Sequence, residues 1–127
     1  MNVLLLETDK FIAQSIRQCF ETAGHRVDWQ VDPQEAIISI DVQPVDLIIM
    51  DVVLAGRSGI EFLYELRSYP DWANTPVIIY SNVPAREVGV AIAGFDQISV
   101  RDYFYKPNTS IKQLLVAANR YIPTPAI

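Results

Sequence analysis

Only one cysteine, Cys19, and one histidine, His25, occur in this chain of 127 residues. A lone thiol cannot close an internal disulfide, and no leader-like segment precedes the first apolar run, so a reducing cytoplasm is the expected setting. No apolar run approaches the ~20 residues that cross a bilayer, so no membrane partner is expected. Positive charge is also short. Ten Lys and Arg stand against fifteen Asp and Glu, for a formal charge of -5 and a pI near 4.7. A protein that binds a phosphate backbone needs clustered cations to displace counterions, which excludes nucleic acid as an expected direct partner. Repeats, linkers and low-complexity segments are absent too.

Half of the residues are hydrophobic and a fifth are charged. That is an ordinary globular composition at the length of one domain, long enough for a single core.

Residues 2–6, NVLLL, form a short apolar run ending at acids, which predicts a strand buried on both faces. From Lys10 to Ala23 the residues Ile12, Ile16, Cys19, Phe20 and Ala23 recur at helical spacing before Gly24, predicting an amphipathic helix with Cys19 in the core. His25 follows the helix-ending glycine and is expected in a solvent-facing turn. HRVDWQV alternates as a strand near a sheet edge, and Asp32-Pro33 opens a helix over about residues 33–41.

Val45–Met50 reads as the third strand, and SGIEFLYELRSY as the third helix, with Ser58 as N-cap and Phe62, Leu63 and Leu66 inward. Trp72, in the loop that follows, is either a contact residue or a cover for the sheet edge. TPVIIYS gives the fourth strand, AREVGVAIAGF a weaker helix, DYFYKP the fifth strand and NTSIKQLLVAANRYI the last helix, with Ile111, Leu114, Leu115 and Ala118 inward. Five strands alternating with five helices predict an α/β fold: a parallel sheet covered on both faces, with its chemistry at the carboxyl ends of the strands.

Those ends carry Glu7 and Asp9 after the first strand, Asp51 after the third, Ser81 after the fourth and Lys106 after the fifth. Clustered carboxylates repel one another unless a cation shares their site, and an oxygen-rich pocket suits Mg²⁺.

The acids after strand one, MDVVLAGRSG after strand three, YSN after strand four and DYFYKP at strand five follow one another in an order that resembles the receiver domain of bacterial response regulators, over the whole chain. The resemblance implies a flavodoxin-like doubly wound (βα)5 sandwich with strand order 2-1-3-4-5. It also implies a receiver domain acting in two-component phosphorelay signalling; a single domain over residues 1–127, with no output domain and no enzymatic activity, is expected. Asp51 would be the phosphoacceptor, Glu7, Asp51 and the Val53 main-chain carbonyl would hold Mg²⁺, and Lys106 would pair with the phosphoryl group. Ser81 would bond that group and, with Tyr103, form a switch that alters a protein-interaction face; Tyr103 could equally be a packing residue. Lys106-Pro107 resembles the family's cis peptide. The implied partners are a histidine kinase or phosphotransfer protein and a downstream target protein, with homodimerisation open.

The chain departs from the family at three places. Thr8 offers a neutral hydroxyl where a second acid is expected, which should weaken Mg²⁺ binding. Asp9 lies one residue further along and either contributes through water or caps the first helix. Asn82 stands where a small residue normally admits the phosphoryl group. In GFDQISVRDY about four additional residues precede the fifth strand, so partner contacts are expected to be particular to this chain. Thr8 and Asn82 are the grounds for the alternative, a pseudo-receiver adaptor that binds protein partners without phosphorylation. A flavin carrier is disfavoured because ETDKF is acidic and lacks the glycine a phosphate loop needs.

Overall fold

The computed structural model describes residues 1–88, 94 and 97–124. Five parallel strands make the main sheet: β1 (Asn2–Leu6), β2 (Arg26–Gln30), β3 (Leu47–Met50), β6 (Val77–Ser81) and β7 (Val100–Tyr105). Their order is β2-β1-β3-β6-β7, the expected 2-1-3-4-5 arrangement counted along the sheet strands. Two short strands, β4 (Val53–Leu54) and β5 (Arg57–Ser58), form a small antiparallel hairpin that the sequence pattern did not suggest. Its turn needs Gly56, whose φ of 74° is costly for any residue with a Cβ.

The sheet separates two layers of core. On one face α1 (Lys10–Thr22) and α4 (Ile111–Asn119) bury Ala13, Ile16, Phe20, Leu114, Ala117 and Ala118 against Val3, Leu5, Leu47, Ile49 and Ile78. On the other, α2 (Pro33–Val42) and α3 (Gly59–Arg67) bury Ala36, Ile40, Phe62, Leu63 and Leu66 against Leu4, Leu6, Ile48, Met50 and Ile79. Central strands buried on both faces explain why LLL, LIIM and VIIY are continuous apolar runs and not alternating ones.

Capping fixes where the helices begin. Asp9 Oδ1 accepts from Phe11 N at 2.9 Å and Ile12 N at 3.1 Å, Asp32 Oδ1 accepts from Gln34 N at 2.8 Å, and Ser58 Oγ accepts from Ile60 N at 3.2 Å. α4 starts with a reciprocal capping box between Ser110 and Gln113. It is shorter than the expected NTSIKQLLVAANRYI, and Ile111 and Leu115 are only half-buried.

The helix expected over residues 85–95 lies largely outside the described residues; its first residues, Ala85–Glu87, form a 3-10 turn. β7 begins at Val100, earlier than expected, and its pairing jumps from Val77↔Val100 to Ile78↔Asp102, so Arg101 sits in a bulge. Ser99, at φ 55°, turns the chain into the strand.

Two expectations are corrected. His25 is not in a solvent-facing turn but buried at 9% exposure. Gly24, at φ 90°, turns the chain back so that the His25 ring packs on Phe20 and its Nε2 lies 2.8 Å from Asn119 Oδ1 at the end of α4. The Lys106–Pro107 peptide is trans, since no cis bond occurs among the described residues. Lys106 is aimed instead by the 3-10 turn Lys106–Asn108 that takes over where β7 stops.

Candidate functional site

Parallel register places the ends of β1, β3, β6 and β7 on one edge of the sheet: Leu6 lies opposite Met50, Met50 opposite Ile79, and Ser81 opposite Tyr105. The residues that follow therefore converge. Glu7, Asp51, Ser81 and Lys106 line one cavity of about 300 Å³, together with Thr8, Asp9, Val53, Asn82 and Val83. Glu7, Asp51 and Ser81 are only 2%, 6% and 0% exposed.

Asp51 is held from three sides. Ser81 Oγ donates to its Oδ1 at 2.7 Å, the Val53 amide donates to the same oxygen at 3.1 Å, and Lys106 Nζ donates to Oδ2 at 2.8 Å. Lys106 also donates to both oxygens of Glu7, at 3.1 and 3.0 Å, so one ammonium bridges two buried carboxylates. The Nζ lies 5.7 Å from the centre of the Tyr80 ring, a further contact that favours a cation.

The electrostatics of the pair are asymmetric. Burial pushes the Glu7 carboxyl above its usual value more than the Lys106 hydrogen bond, the Asp9 amide and the Lys106 charge bring it down, and the Asp51 charge adds to the rise. Burial alone would lower Lys106, but hydrogen bonds to Asp51 and Glu7 and both of their charges outweigh it, so the ammonium is held above its usual value. The site thus favours the charged form of Lys106 over its burial cost, while for Glu7 burial outweighs its partners.

Each residue expected at the site has a definite place. Glu7, Asp51, Ser81 and Lys106 form the connected centre. Thr8 and Asn82 are exposed at the cavity wall. Asp9 has one carboxylate oxygen committed to the α1 cap, and its amide donates to Glu7 Oε1 at 3.1 Å. Tyr103 lies against the α2–α3 core, and its hydroxyl donates to the Val83 carbonyl at 2.5 Å. Val83 N in turn donates to Ser81 Oγ at 3.1 Å, which links Tyr103 to Asp51 through one loop residue and the serine.

Two supporting residues were not read as such from the sequence. Trp29 on β2 donates its indole N–H to the Glu7 carbonyl at 2.9 Å, fixing the main chain that presents Glu7. The second is Gly59, the first residue of α3. A Cβ there would stand 2.5 Å from the Asp51 carbonyl oxygen, 2.8 Å from Met50 Cε and 2.8 Å from Val52 Cα. The spacing SG eight residues after Asp51 was visible, but its meaning needed the fold. Gly59→Ala should cost about 1–3 kcal/mol through overpacking against main chain that cannot yield, read as a lowered denaturation midpoint. An unchanged midpoint would show that the contact relaxes freely.

The donor set fits Mg²⁺ in kind. That ion takes hard oxygens, needs only one or two protein carboxylates and keeps several waters, and Glu7 and Asp51 supply two carboxylates beside Val53. Among the described residues no group of three His, Cys, Asp or Glu side chains could cage a metal.

Comparison with known proteins agrees with this arrangement. The family model for the response regulator receiver domain matches residues 3–119. The KDP operon transcriptional regulatory protein KdpE of Escherichia coli is 32% identical over 84% of this chain and 44% of its own length. The response regulator protein PmrA of Pseudomonas aeruginosa is 32% identical over 84% of this chain and 46% of its own. The chain thus spans less than half the length of these curated relatives. Among solved structures, the receiver domain of a Francisella response regulator superposes with a TM-score of 0.80 at 34% identity, covering 94% of each chain. A Vibrio cholerae chemotaxis protein shares the fold at a TM-score of 0.82 and 22% identity. The expected resemblance therefore holds at the level of sequence and of fold: this chain belongs to the response regulator receiver domain family.

Proposed function

We propose that this chain is a phosphorylation-controlled signalling module whose acceptor is Asp51. The observation that carries the reading is the anchored Asp51 carboxylate at the floor of a cavity that also presents Ser81 and Lys106. A carboxylate oxygen of Asp51 forms the bond to phosphorus, while the bond from phosphorus to the donor breaks and the leaving group departs with its electron pair. Lys106 neutralises phosphoryl oxygens as they arrive, and Ser81 donates to one of them, so positioning and charge supply most of the catalysis. Receiver domains of this family typically bind Mg²⁺ at the phosphorylation site; here Glu7, Asp51 and the Val53 carbonyl would hold it, and it would neutralise charge building on the phosphoryl group.

When Ser81 turns from Asp51 to the phosphoryl group, its bond from Val83 N changes. The loop that Tyr103 grips then shifts, and this is the path by which the state of Asp51 reaches the protein-binding face. The donor is a histidine kinase or phosphotransfer protein, the target is another protein, and cytoplasmic action fits. No helix among the described residues is long and apolar enough to cross a membrane.

A second reading, a binding adaptor that does not take phosphate, is favoured by Thr8 and Asn82 at the cavity wall. Incubation with a small phosphodonor and Mg²⁺ followed by intact mass measurement separates the two. One added phosphoryl mass supports the module, and none in a folded sample supports the adaptor.

The same reading makes Thr8 the weak point of metal binding. Thr8→Asp adds an exposed carboxylate beside Glu7 and should tighten Mg²⁺ by about tenfold, or about 1.4 kcal/mol, in a calorimetric titration. An unchanged affinity would remove Thr8 from the metal site.

A further inference from the structure

The helix α2 carries apolar residues on two sides. Ala36 and Ile40 are buried in the core, but Ile38 is 59% and Val42 81% exposed. A surface helix ordinarily keeps a polar outer face, so these side chains stand out. Next to them the loop after α3 raises an aromatic wall: Tyr69 is 41% exposed, and its ring lies 4.9 Å from that of Trp72 at 53°. The two elements enclose a groove of about 340 Å³.

This wall is preformed. Arg67 donates to the carbonyls of Trp72 and Thr75 at 2.6 Å each and to that of Ile98 at 2.8 Å, which pins the loop to the start of β7. A surface already ordered loses little entropy when a partner binds.

The charged side chains that line the groove, Asp41 and Asp71, are both acids. The nearby guanidinium of Arg67 is turned inward onto main-chain carbonyls.

We infer that the groove between α2 and the Tyr69–Trp72 loop docks a segment of a partner protein that presents an apolar side chain flanked by Lys or Arg. The apolar anchor covers Ile38, Val42 and the aromatic pair, and its cations meet Asp41 and Asp71. A second copy docked through the same face about a two-fold axis would set these acids against themselves, which argues for a basic partner. The groove lies at the amino ends of the strands: α2 leads into β3, the loop leads into β6, and Asp51 stands at the far edge. Docking there therefore does not require phosphorylation.

The test uses the full chain and two synthetic helix-forming peptides. One carries leucines on one face flanked by lysines; in the other, glutamates replace the lysines. The lysine peptide should shift the amide resonances of Ile38, Val42, Tyr69 and Trp72 saturably, equally in wild type and Asp51→Asn, and the glutamate peptide should not. Ile38→Glu and Val42→Glu, at exposed positions that leave the melt unchanged, should each weaken binding by about tenfold or more. Asp41→Asn with Asp71→Asn should flatten the salt dependence. Equal binding of both peptides, shifts confined to α1 and α4, or affinity indifferent to Ile38→Glu would overturn the inference. So would a concentration-dependent dimer abolished by Ile38→Glu, which would give the groove to a second copy.

Discussion

Asp51→Asn is expected to abolish phosphoryl incorporation, with the fraction of chain gaining a phosphoryl mass falling by at least about 100-fold, or about 2.7 kcal/mol in barrier. The amide has no anionic oxygen to attack phosphorus, so the nucleophile is lost while the volume stays the same. The site should survive the change. An asparagine Oδ1 can still accept from Ser81 and from Val53 N, which both meet one oxygen of the aspartate, whereas the Nδ2 that replaces Oδ2 cannot accept from Lys106. The ammonium keeps Glu7, so the folded state loses one charge-assisted bond, about 1.5–3 kcal/mol, and not its cation. The measurement is intact mass after phosphodonor treatment, alongside a thermal melt. Labelling that persists in the folded variant would move the acceptor to another side chain.

Why so much of this site was legible in one sequence follows from its geometry. In a parallel sheet the functional residue comes directly after an apolar strand, so LLL before Glu7, LIIM before Asp51 and VIIY before Ser81 announce both the strand and its chemical end. The helix starts were equally local: Asp9, Asp32 and Ser58 each bond amides two or three residues away. What stayed hidden depends on contacts distant in the chain. His25 reads as a turn residue because its partner Asn119 is 94 positions away. Trp29 reads as strand filler, since nothing local shows that its indole reaches the Glu7 carbonyl.

Arg67 was illegible for a different reason. It ends a helix where a basic residue is ordinary, yet its guanidinium spans carbonyls from two separate segments. The bulge at Arg101 is set by how the residues before β7 meet β6, and a period-two pattern cannot encode a shift between strands.

Lys106→Met should be the most destabilising change at the site. The side chain is nearly isosteric, so what disappears is a charge held between Glu7 and Asp51, with both ion pairs almost fully buried. Removing one member of such a group leaves its partners buried and unpaired, which costs about 3–5 kcal/mol, and here the two carboxylates left behind also repel each other. For a domain of this size that amounts to a melting point lower by roughly 10–20 °C. Mg²⁺ should restore more stability to the variant than to wild type, because a divalent cation between the carboxylates replaces the missing charge. Lys106→Met combined with Glu7→Gln should be milder than Lys106→Met alone, since one unpaired anion is removed with the cation.

Both groups lower stability as pH rises, but in separate pH windows. Lys106 is held above its usual 10.5, so its contribution is fully present below that pH and fades as pH rises through the higher folded value; the variant should lack this alkaline loss. Glu7, raised above its usual 4.5 chiefly by burial, binds its proton more tightly when folded. Lowering the pH towards 4.5 therefore relieves its cost, and more so once Lys106 is gone. A loss below about 1 kcal/mol in Lys106→Met, with no response to Mg²⁺, would mean that the bridge behaves as an exposed ion pair and that the two carboxylates do not depend on a shared cation.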